Sequence, residues 1–300
     1  VFSVVGVSGN DGGSPPDADR SPRLYGGKST VATSTLGLAS ACASRLFAPY
    51  ETAYPGYAAR LRSAALLAWG FLEQNPKNLK YAQGGFSQAD ANVSDAEDAA
   101  RRLAAAAELF GLTGDPRFRD YFDRLYALPQ GRGANDHHPI TQGYFETGGS
   151  TMLQMGMVSY SLAPGASPDV VAAIAKSLRA GIDNVLGQRS EDPYLAPMWD
   201  GHYCWGSNQI KAKWAELPLW GIRLNLDPYK AASWAAQAEE YVHYWNGRNP
   251  LGWVYQSNMG NRGAKAGAEK SVMEIYHGWF HDGTALYDGT ASKFGPAPGI

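Results

Sequence analysis

Apolar residues recur at helical spacing along most of the chain. Between Leu61 and Leu72 they lie three or four residues apart, which puts them on one side of a helix. Pro76 follows this segment, and Gly114 before Pro116 ends one segment and starts the next. The pattern predicts about eight helices, which run from the Ser29-Thr30 cap toward Pro49 and over residues 55–74, 96–112, 116–127, 149–162, 168–187, 208–225 and 228–246.

The connections between the predicted helices differ in length. Short connections make neighbouring helices antiparallel, and small residues such as Ala104 to Ala107 and the alanines between 231 and 236 permit close helix–helix approach. No strand-like alternation of any length is present, and the first thirty residues have the composition of an irregular loop. We predict an all-α, toroid-like α/α fold whose long loops gather at one face, and these loops cover residues 76–94, 128–148, 188–207 and 247–300.

The composition argues against nucleic acid and membrane partners and favours a sugar as ligand. The 300 residues carry Lys+Arg 26 against Asp+Glu 28, a net charge of −2, with no lysine- or arginine-rich run. Nucleic acid binding needs a concentrated basic face, so we expect no nucleic acid partner. No stretch of about 18 uncharged apolar residues occurs, so we expect no membrane span. Aromatic residues reach 12%, and many lie in loops rich in glycine, asparagine and proline, which favours a surface for binding sugar rings.

One candidate sugar-binding segment precedes the helix predicted over residues 208–225. It contains Tyr203 and Trp205, followed by Ser207 and Asn208, which suit an N-cap. The Trp205 indole could present its face to a pyranose ring while its N–H stays free for a hydrogen bond, or it could pack as an ordinary core residue. Both interpretations stay open from the sequence.

A second candidate segment covers residues 274–283. Two histidines, a tyrosine, a tryptophan, an aspartate and a glutamate fall within these ten residues. We expect His277 to hydrogen-bond sugar hydroxyls and Trp279 to stack on a ring, with Tyr276 beside them; the alternative is a loop whose histidine only satisfies its neighbours. Arg248, just after the predicted helix end, is expected to donate to helix carbonyls or to a carboxylate.

The sequence contains two weaker signals for metal or redox chemistry. Residues 95–98 (Asp-Ala-Glu-Asp) suit a helix N-terminus, where negative charge is favoured, and the alternative is a structural Ca²⁺ site. No zinc motif occurs, and we expect that no cofactor is required. Cys42 and Cys204 are expected to be two buried free thiols, although one long-range disulfide is an alternative.

Several ordered motifs resemble glycoside hydrolase family 9. The family pattern Y-x-W-G-S-N is similar to residues 203–208, and its L-G-x-N-P motif, followed by a further tyrosine, is similar to residues 247–255. Its K-S-T-A-A-T segment is similar to residues 28–33, its A-A-A-E-L-Y…T-G-D segment to residues 105–115, and its G-P-A-P-G segment to residues 295–300. The resemblance covers essentially the whole chain.

The resemblance implies an (α/α)₆ barrel with an open aromatic cleft and inverting hydrolysis of β-1,4-glucosidic bonds. The family's base lies in a D-A-G-D motif and its acid is a glutamate near the C-terminus, and neither motif occurs in this chain. We therefore expect residues 1–300 to be a single incomplete catalytic domain that lacks N-terminal helices and a C-terminal segment and is inactive alone. No catalytic or metal residue is assigned; the expected substrate-binding residues are Tyr203, Trp205, Tyr276, His277 and Trp279.

Departures from the family pattern keep other functions open. Residues 275–280 replace a sugar-binding H-H-R motif, which resembles the branch with cellodextrinases and exo-glucosaminidases. The family's usual D-E pair falls on Ala100 and Arg101, which argues against a carried-over calcium site. The alternatives are an exo-β-glucosaminidase, a non-catalytic glycan-binding toroid, and a lyase or epimerase that uses Tyr276 and His277. The expected partner is a β-linked oligo- or polysaccharide, and the expected protein is a secreted or periplasmic monomer.

Overall fold

The computed structural model of the protein describes residues 5–6, 24–81, 92–126, 149–198, 200, 203 and 207–255. Within this part of the chain, all eight predicted helices are confirmed to within a few residues. Short 3₁₀ turns follow two of them, at Ala48–Tyr50 and Arg189–Glu191. The helices are α1 (Thr30–Phe47), α2 (Tyr57–Gln74), α3 (Asp95–Thr113), α4 (Pro116–Leu125), α5 (Gly149–Leu162), α6 (Pro168–Gln188), α7 (Ser207–Arg223) and α8 (Ala231–Trp245).

Helices α1, α3 and α5 are parallel neighbours. Thr30 at the start of α1 donates a 2.6 Å hydrogen bond to Asp98 in the first turn of α3. Near the other end of both helices, Arg45 of α1 pairs with Glu108 of α3. Ser159, near the end of α5, also donates to Glu108, so the ends of all three helices lie at the same level.

Helices that follow one another across a short connection run in opposite directions. Arg62, near the start of α2, donates to the Leu112 carbonyl at the end of α3 at 3.3 Å. Gly221, near the end of α7, lies against Trp234, near the start of α8. The short connections therefore lie at one end of the helices, and the helix ends that the long connections join lie at the other. The helix ends that flank the long connections therefore lie at one face, as predicted.

Helix α3 lies at the centre of the packing. All four alanines from Ala104 to Ala107 are completely buried, as their spacing predicted. Gly156 of α5 packs so closely on α3 that an added Cβ would lie 2.7 Å from the Ala104 Cα, and Gly37 of α1 lies against Ala105. Small side chains let the three helices approach each other closely, and this brings the backbones into contact.

The same prediction is wrong at two positions of α8. Ala232 and Ala236 are exposed, and the helix instead turns Trp234, Tyr241 and Tyr244 into the core. Burying an aromatic side chain removes far more apolar surface from water than burying an alanine, and this decides which face of the helix points inward. The core is a single contiguous cluster over α2 to α8, with part of α1.

Helix α1 buries a face of small and hydroxyl-bearing residues. Leu46 stays exposed, whereas Thr33, Ser34 and Ser44 are buried and donate to carbonyl oxygens, Thr33 to that of Ser29 at 2.7 Å. These hydrogen bonds offset the cost of burying the hydroxyl groups. The Ser29 side chain caps the helix by accepting from the Ala32 N–H, as the sequence predicted.

A two-residue strand pair lies near the start of the chain. Val5–Gly6 pairs antiparallel with Leu24–Tyr25, so the prediction of an irregular loop is wrong at these four residues, where ladder bonds satisfy the backbone. Among the residues that the structure describes, no helix combines the length and the apolar character that a membrane crossing needs.

Candidate functional site

A cleft of about 480 Å³ opens where α6 ends and α7 begins, at the face of the long connections. Aromatic rings, carboxylates and prolines line it together, a combination that suits a polar ligand with apolar faces, such as a sugar. The lining residues are Gln188, Glu191, Asp192, Pro193, Tyr194, Pro197, Met198, Asp200, Tyr203, Tyr244 and Pro250.

Tyr203 is the predicted sugar-binding residue that the structure describes, and it lies in this cleft. Its side chain is half exposed, and its backbone N–H donates to the Asp200 carbonyl at 3.2 Å. Partial burial raises the pKa of its hydroxyl, and the charges of Asp192 and Asp200 raise it further. Tyr203 therefore stays neutral, and its ring is accessible to a ligand.

Lys211 lies directly behind Tyr203. It is completely buried in the second turn of α7, and its ammonium donates to the Ala196 carbonyl and, at 3.3 Å, to the Tyr203 hydroxyl. Burial lowers the pKa of Lys211 to about 8, and the nearby carboxylate of Asp192 opposes that shift. A buried lysine with a strongly lowered pKa at a cleft wall is typical of a functional region.

Further tyrosines build the wall around this lysine. Tyr241 and Tyr244 of α8 face it, and the Tyr241 hydroxyl donates to the Pro197 carbonyl at 2.8 Å. Tyr194 meets Tyr244 edge-on, with ring centroids 6.2 Å apart. Burial raises the pKa of both Tyr241 and Tyr244. The rings thus form a neutral aromatic wall with one cation inside it.

The segment after α8 is an ordered turn built around Asn249. Its amide donates to the Tyr244 and Trp253 carbonyls, both at 2.7 Å, and its carbonyl oxygen accepts from two backbone N–H groups. Arg248 pairs with the Glu240 carboxylate and donates to the Glu240 carbonyl at 3.3 Å, as predicted. This turn holds Pro250 in the cleft wall.

The acidic stretch that opens α3 makes contacts within the protein. Ser94 caps the helix, and Glu97 forms an i,i+4 ion pair with Arg101 at 2.7 Å. Asp98 is buried; one of its oxygens accepts from Thr30 and the other pairs with Arg102 at 2.7 Å. The helix-terminus role is confirmed. Among the described residues, no group of three or more histidine, cysteine or acidic side chains could hold a metal ion.

Cys42 is a half-buried free thiol on α1, whereas Cys204 lies outside the described residues. Burial raises the pKa of the Cys42 thiol, and the charge of Glu108 raises it further, against the opposing effect of Arg45. A raised thiol pKa leaves little thiolate, so this cysteine is a poor nucleophile and metal ligand.

The other predicted substrate-binding residues lie outside the described part of the chain; they are Trp205, Tyr276, His277 and Trp279. Lys211 was missed by the sequence analysis, although a signal for it exists. It precedes the buried residues Trp214 and Ala215 by three and four positions, so the helical period places a charged residue on the buried stripe of α7.

A second cavity, of about 450 Å³, lies at the turn between α1 and α2, at the end of the short connections. Phe47 is in edge-on contact with Tyr54 and Tyr57, and the Arg60 guanidinium lies 5.6 Å from the centroid of the Tyr57 ring. This aromatic cluster is separate from the cleft at Tyr203, and no predicted site residue falls in it.

One family model and several known proteins match this chain. The model of glycosyl hydrolase family 9 matches residues 4–295. Endoglucanase D from Acetivibrio thermocellus is 31% identical over 197 residues, which are 64% of this chain and 29% of that protein. The chain therefore spans less than a third of the length of this curated relative.

Solved structures share the fold. The family 9 endoglucanase J30 superposes with a TM-score of 0.68 at 25% identity, over 84% of this chain and 43% of the other. A single mutant of a thermostable endoglucanase from Alicyclobacillus acidocaldarius gives a TM-score of 0.71 at 21% identity, over 94% and 49%. AaCel9A, solved with a cellobiose-like isofagomine, gives 0.70 at 22% identity, over 91% and 48%.

These neighbours are (α/α)₆ barrels, so the described helices are part of such a toroid, which confirms the predicted fold class. The parallel helices α1, α3 and α5 and their returning partners show the alternation that this architecture requires. The family model spans nearly the whole chain, including the motifs before α1, along α3 and around α7 and α8. The chain belongs to glycosyl hydrolase family 9.

Proposed function

We propose that this chain is part of an inverting glycoside hydrolase that cleaves β-1,4-linked glucan, of the endoglucanase type. The observation that carries the proposal is the family 9 match over residues 4–295. The names of similar proteins, endoglucanase D and the endoglucanase J30, support the choice of a cellulose-type substrate.

The cleft at Tyr203 supports a sugar as ligand. A half-exposed tyrosine ring offers a flat apolar face to a pyranose, and the carboxylates of Glu191, Asp192 and Asp200 offer acceptors for sugar hydroxyls. In our proposal this cleft belongs to the substrate path, and Trp205, Tyr276, His277 and Trp279 complete it from the remaining loops.

We propose that the catalytic carboxylates belong to a longer protein that contains this chain. Inverting hydrolysis needs an acid and a base roughly 6.5–9.5 Å apart with a water between them. The chain contains no D-A-G-D segment, and it spans less than half the length of the solved relatives. Residues 1–300 then contribute substrate binding and no acid or base.

The test compares the intact protein with the isolated chain on carboxymethylcellulose and cellotetraose. We expect new reducing ends from the intact protein, with inverted anomeric configuration in the first products by NMR, and none from residues 1–300. Turnover by the isolated chain that a carboxylate change within it abolishes would contradict the division of roles. Retention of configuration would contradict inversion.

The same assay separates the alternatives. Release of glucosamine from chitosan oligosaccharides, without action on cellotetraose, would favour an exo-β-glucosaminidase. Binding of either sugar without turnover by the intact protein would favour a glycan-binding toroid, and unsaturated products would favour a lyase. A polymeric β-glucan lies outside the cell, so we also propose that the protein is secreted or periplasmic, and that it acts as a monomer.

A further inference from the structure

We propose that Lys211 is a positioning residue whose buried ammonium holds the Tyr203 ring where it stacks on a glucan ring. The inference rests on the proposed function for the choice of ligand. It assigns a role to a side chain that lies behind the cleft wall rather than on its surface.

Lys211 has the geometry of a cation in a box of aromatic rings. Its Nζ lies 4.1 Å from the centroid of the Tyr244 ring, 5.0 Å from that of Tyr203 and 6.0 Å from that of Tyr241. These distances are within the range of cation–π attraction, which is stronger when water is excluded, and Lys211 is completely buried. The ammonium therefore joins Tyr203 to two tyrosines of α8.

The ammonium also fixes the backbone that leads to Tyr203. It donates to the Ala196 carbonyl, one residue before Pro197, whose own carbonyl accepts from Tyr241 at 2.8 Å. Gln237 donates to the Leu195 carbonyl at 3.0 Å. Three consecutive carbonyls of this loop are thus held by α7 and α8.

Tyr203 has few other anchors in the described part of the chain. Its backbone N–H donates to Asp200, and its side chain contacts Lys211 through both ring and hydroxyl, at 5.0 and 3.3 Å. Half of the side chain remains exposed to the cleft. Removal of the ammonium takes away the ring's main partner among the described residues, so the ring has to be ordered when the sugar binds, which weakens binding.

The charge of Lys211 can be changed by pH while its neighbours keep theirs. The groups that face it are the carboxylate of Asp192 from the loop, the Tyr203 hydroxyl, and the Tyr241 and Tyr244 hydroxyls from α8. Burial lowers the pKa of Lys211 to about 8 and raises the pKa of all three tyrosines. Between pH 7.0 and 9.5, Lys211 therefore loses its proton and the tyrosines stay neutral.

Because the intact protein is expected to hydrolyse cellotetraose, the experiment measures binding of a non-hydrolysable, thio-linked cellotetraose analogue to the intact protein by calorimetry at pH 7.0 and pH 9.5. For the wild type we expect the Kd to rise by about fivefold at pH 9.5, in line with the loss of a desolvated cation–π contact. Lys211→Met should show a Kd raised by about fivefold at pH 7.0 and no further rise at pH 9.5. Lys176→Met, which removes an exposed lysine of α6, should bind as the wild type does at both pH values.

Two variants of Tyr203 separate the effect of its ring, which stacks, from that of its hydroxyl, which accepts a hydrogen bond from Lys211. Tyr203→Ala should weaken binding at least as much as Lys211→Met, whereas Tyr203→Phe keeps the ring and should keep most of the pH dependence. Near-ultraviolet circular dichroism checks that each variant is folded. If Lys211→Met does not fold, the wild-type pH profile decides, and an unchanged Kd at pH 9.5 overturns the proposal.

The outcomes are distinct for the two proposals. A wild type that neither binds the thio-linked analogue at either pH nor hydrolyses cellotetraose overturns the proposed glucan specificity and, with it, the role of Tyr203. A wild type that binds, with Lys211→Met showing the same Kd and the same pH profile, leaves the proposed function intact and overturns the role of Lys211.

Discussion

At the scale of single residues, Arg102 and Lys211 are both buried cations with different partners. Arg102 pairs with Asp98 and donates to three carbonyls at the end of α2, so its charge is well compensated. Among the residues that the structure describes, Lys211 has tyrosine rings, one carbonyl and a single nearby carboxylate as neighbours. Guanidinium keeps its proton when buried, whereas an ammonium group gives it up more easily. Arg102 is therefore structural, and Lys211 is poised to titrate.

We predict that Lys211 makes the stability of the protein depend on pH. Its folded pKa of about 8 lies below the ordinary value of 10.5, so the unfolded chain binds more protons between these values and stability rises with pH there. The free energy of unfolding of the wild type, minus that of Lys211→Met, should increase by about 2–3 kcal/mol from pH 7 to pH 10. Urea denaturation at both pH values measures it, with Lys176→Met as the control. A difference that stays constant would contradict the lowered pKa.

At the scale of secondary structure elements, glycines and alanines set how closely the helices pack. Gly156 of α5 leaves no space for a methyl group against the α3 backbone at Ala104. Gly221 of α7 likewise lies against the end of the Ile182 side chain and the ring of the buried Trp234, which are side-chain atoms and not backbone. The contact between α3 and α5 is therefore the more sensitive of the two.

We predict that Gly156→Ala lowers the free energy of unfolding by roughly 1–3 kcal/mol, because the new methyl group overlaps backbone that cannot shift alone. The matched control is Gly187→Ala near the end of α6, where a Cβ would meet nothing within 4 Å. That change should be neutral or stabilising by up to about 1 kcal/mol, since alanine has the higher helix propensity. Thermal and urea denaturation compare the two, and equal effects would contradict close packing at Gly156.

At the scale of the whole molecule, several large apolar side chains of the described part are exposed. Leu67 is 76% and Leu46 is 64% exposed, and Met155 and Leu219 are also on the surface. The chain spans less than half the length of the solved family members that share its fold. A longer family 9 protein would offer further helices to cover such faces.

We predict that residues 1–300 melt at a lower temperature than the intact protein that contains them, by roughly 5 °C or more, which corresponds to about 2 kcal/mol. Differential scanning calorimetry of both forms measures the difference, and size-exclusion chromatography checks that each is a monomer during the comparison. Equal melting temperatures would contradict the idea that the chain is an incomplete domain.

The helices and the family could be predicted from the sequence because both are local signals. Apolar spacing and caps such as Ser29 depend on residues a few positions apart, and motifs such as residues 203–208 are continuous. Tyr203 could be predicted as a sugar-binding residue because it belongs to this continuous motif. The face that α8 turns inward was predicted wrongly because the alanines were given more weight than Trp234, Tyr241 and Tyr244, whose larger apolar area decides the orientation.

Local sequence signals were sufficient to predict the all-α class, the eight helices, the face at which the long connections begin and end, and the family. Only the fold brings Lys211 and Tyr203 together with Tyr241 and Tyr244, which lie thirty or more residues further along the chain. A lysine on a helix is usually solvated, and although the helical period places Lys211 on the buried stripe of α7, it does not identify the rings that surround the ammonium. Burial and ring contacts are properties of neighbours in space, so the chemistry of Lys211 exists only in the folded chain.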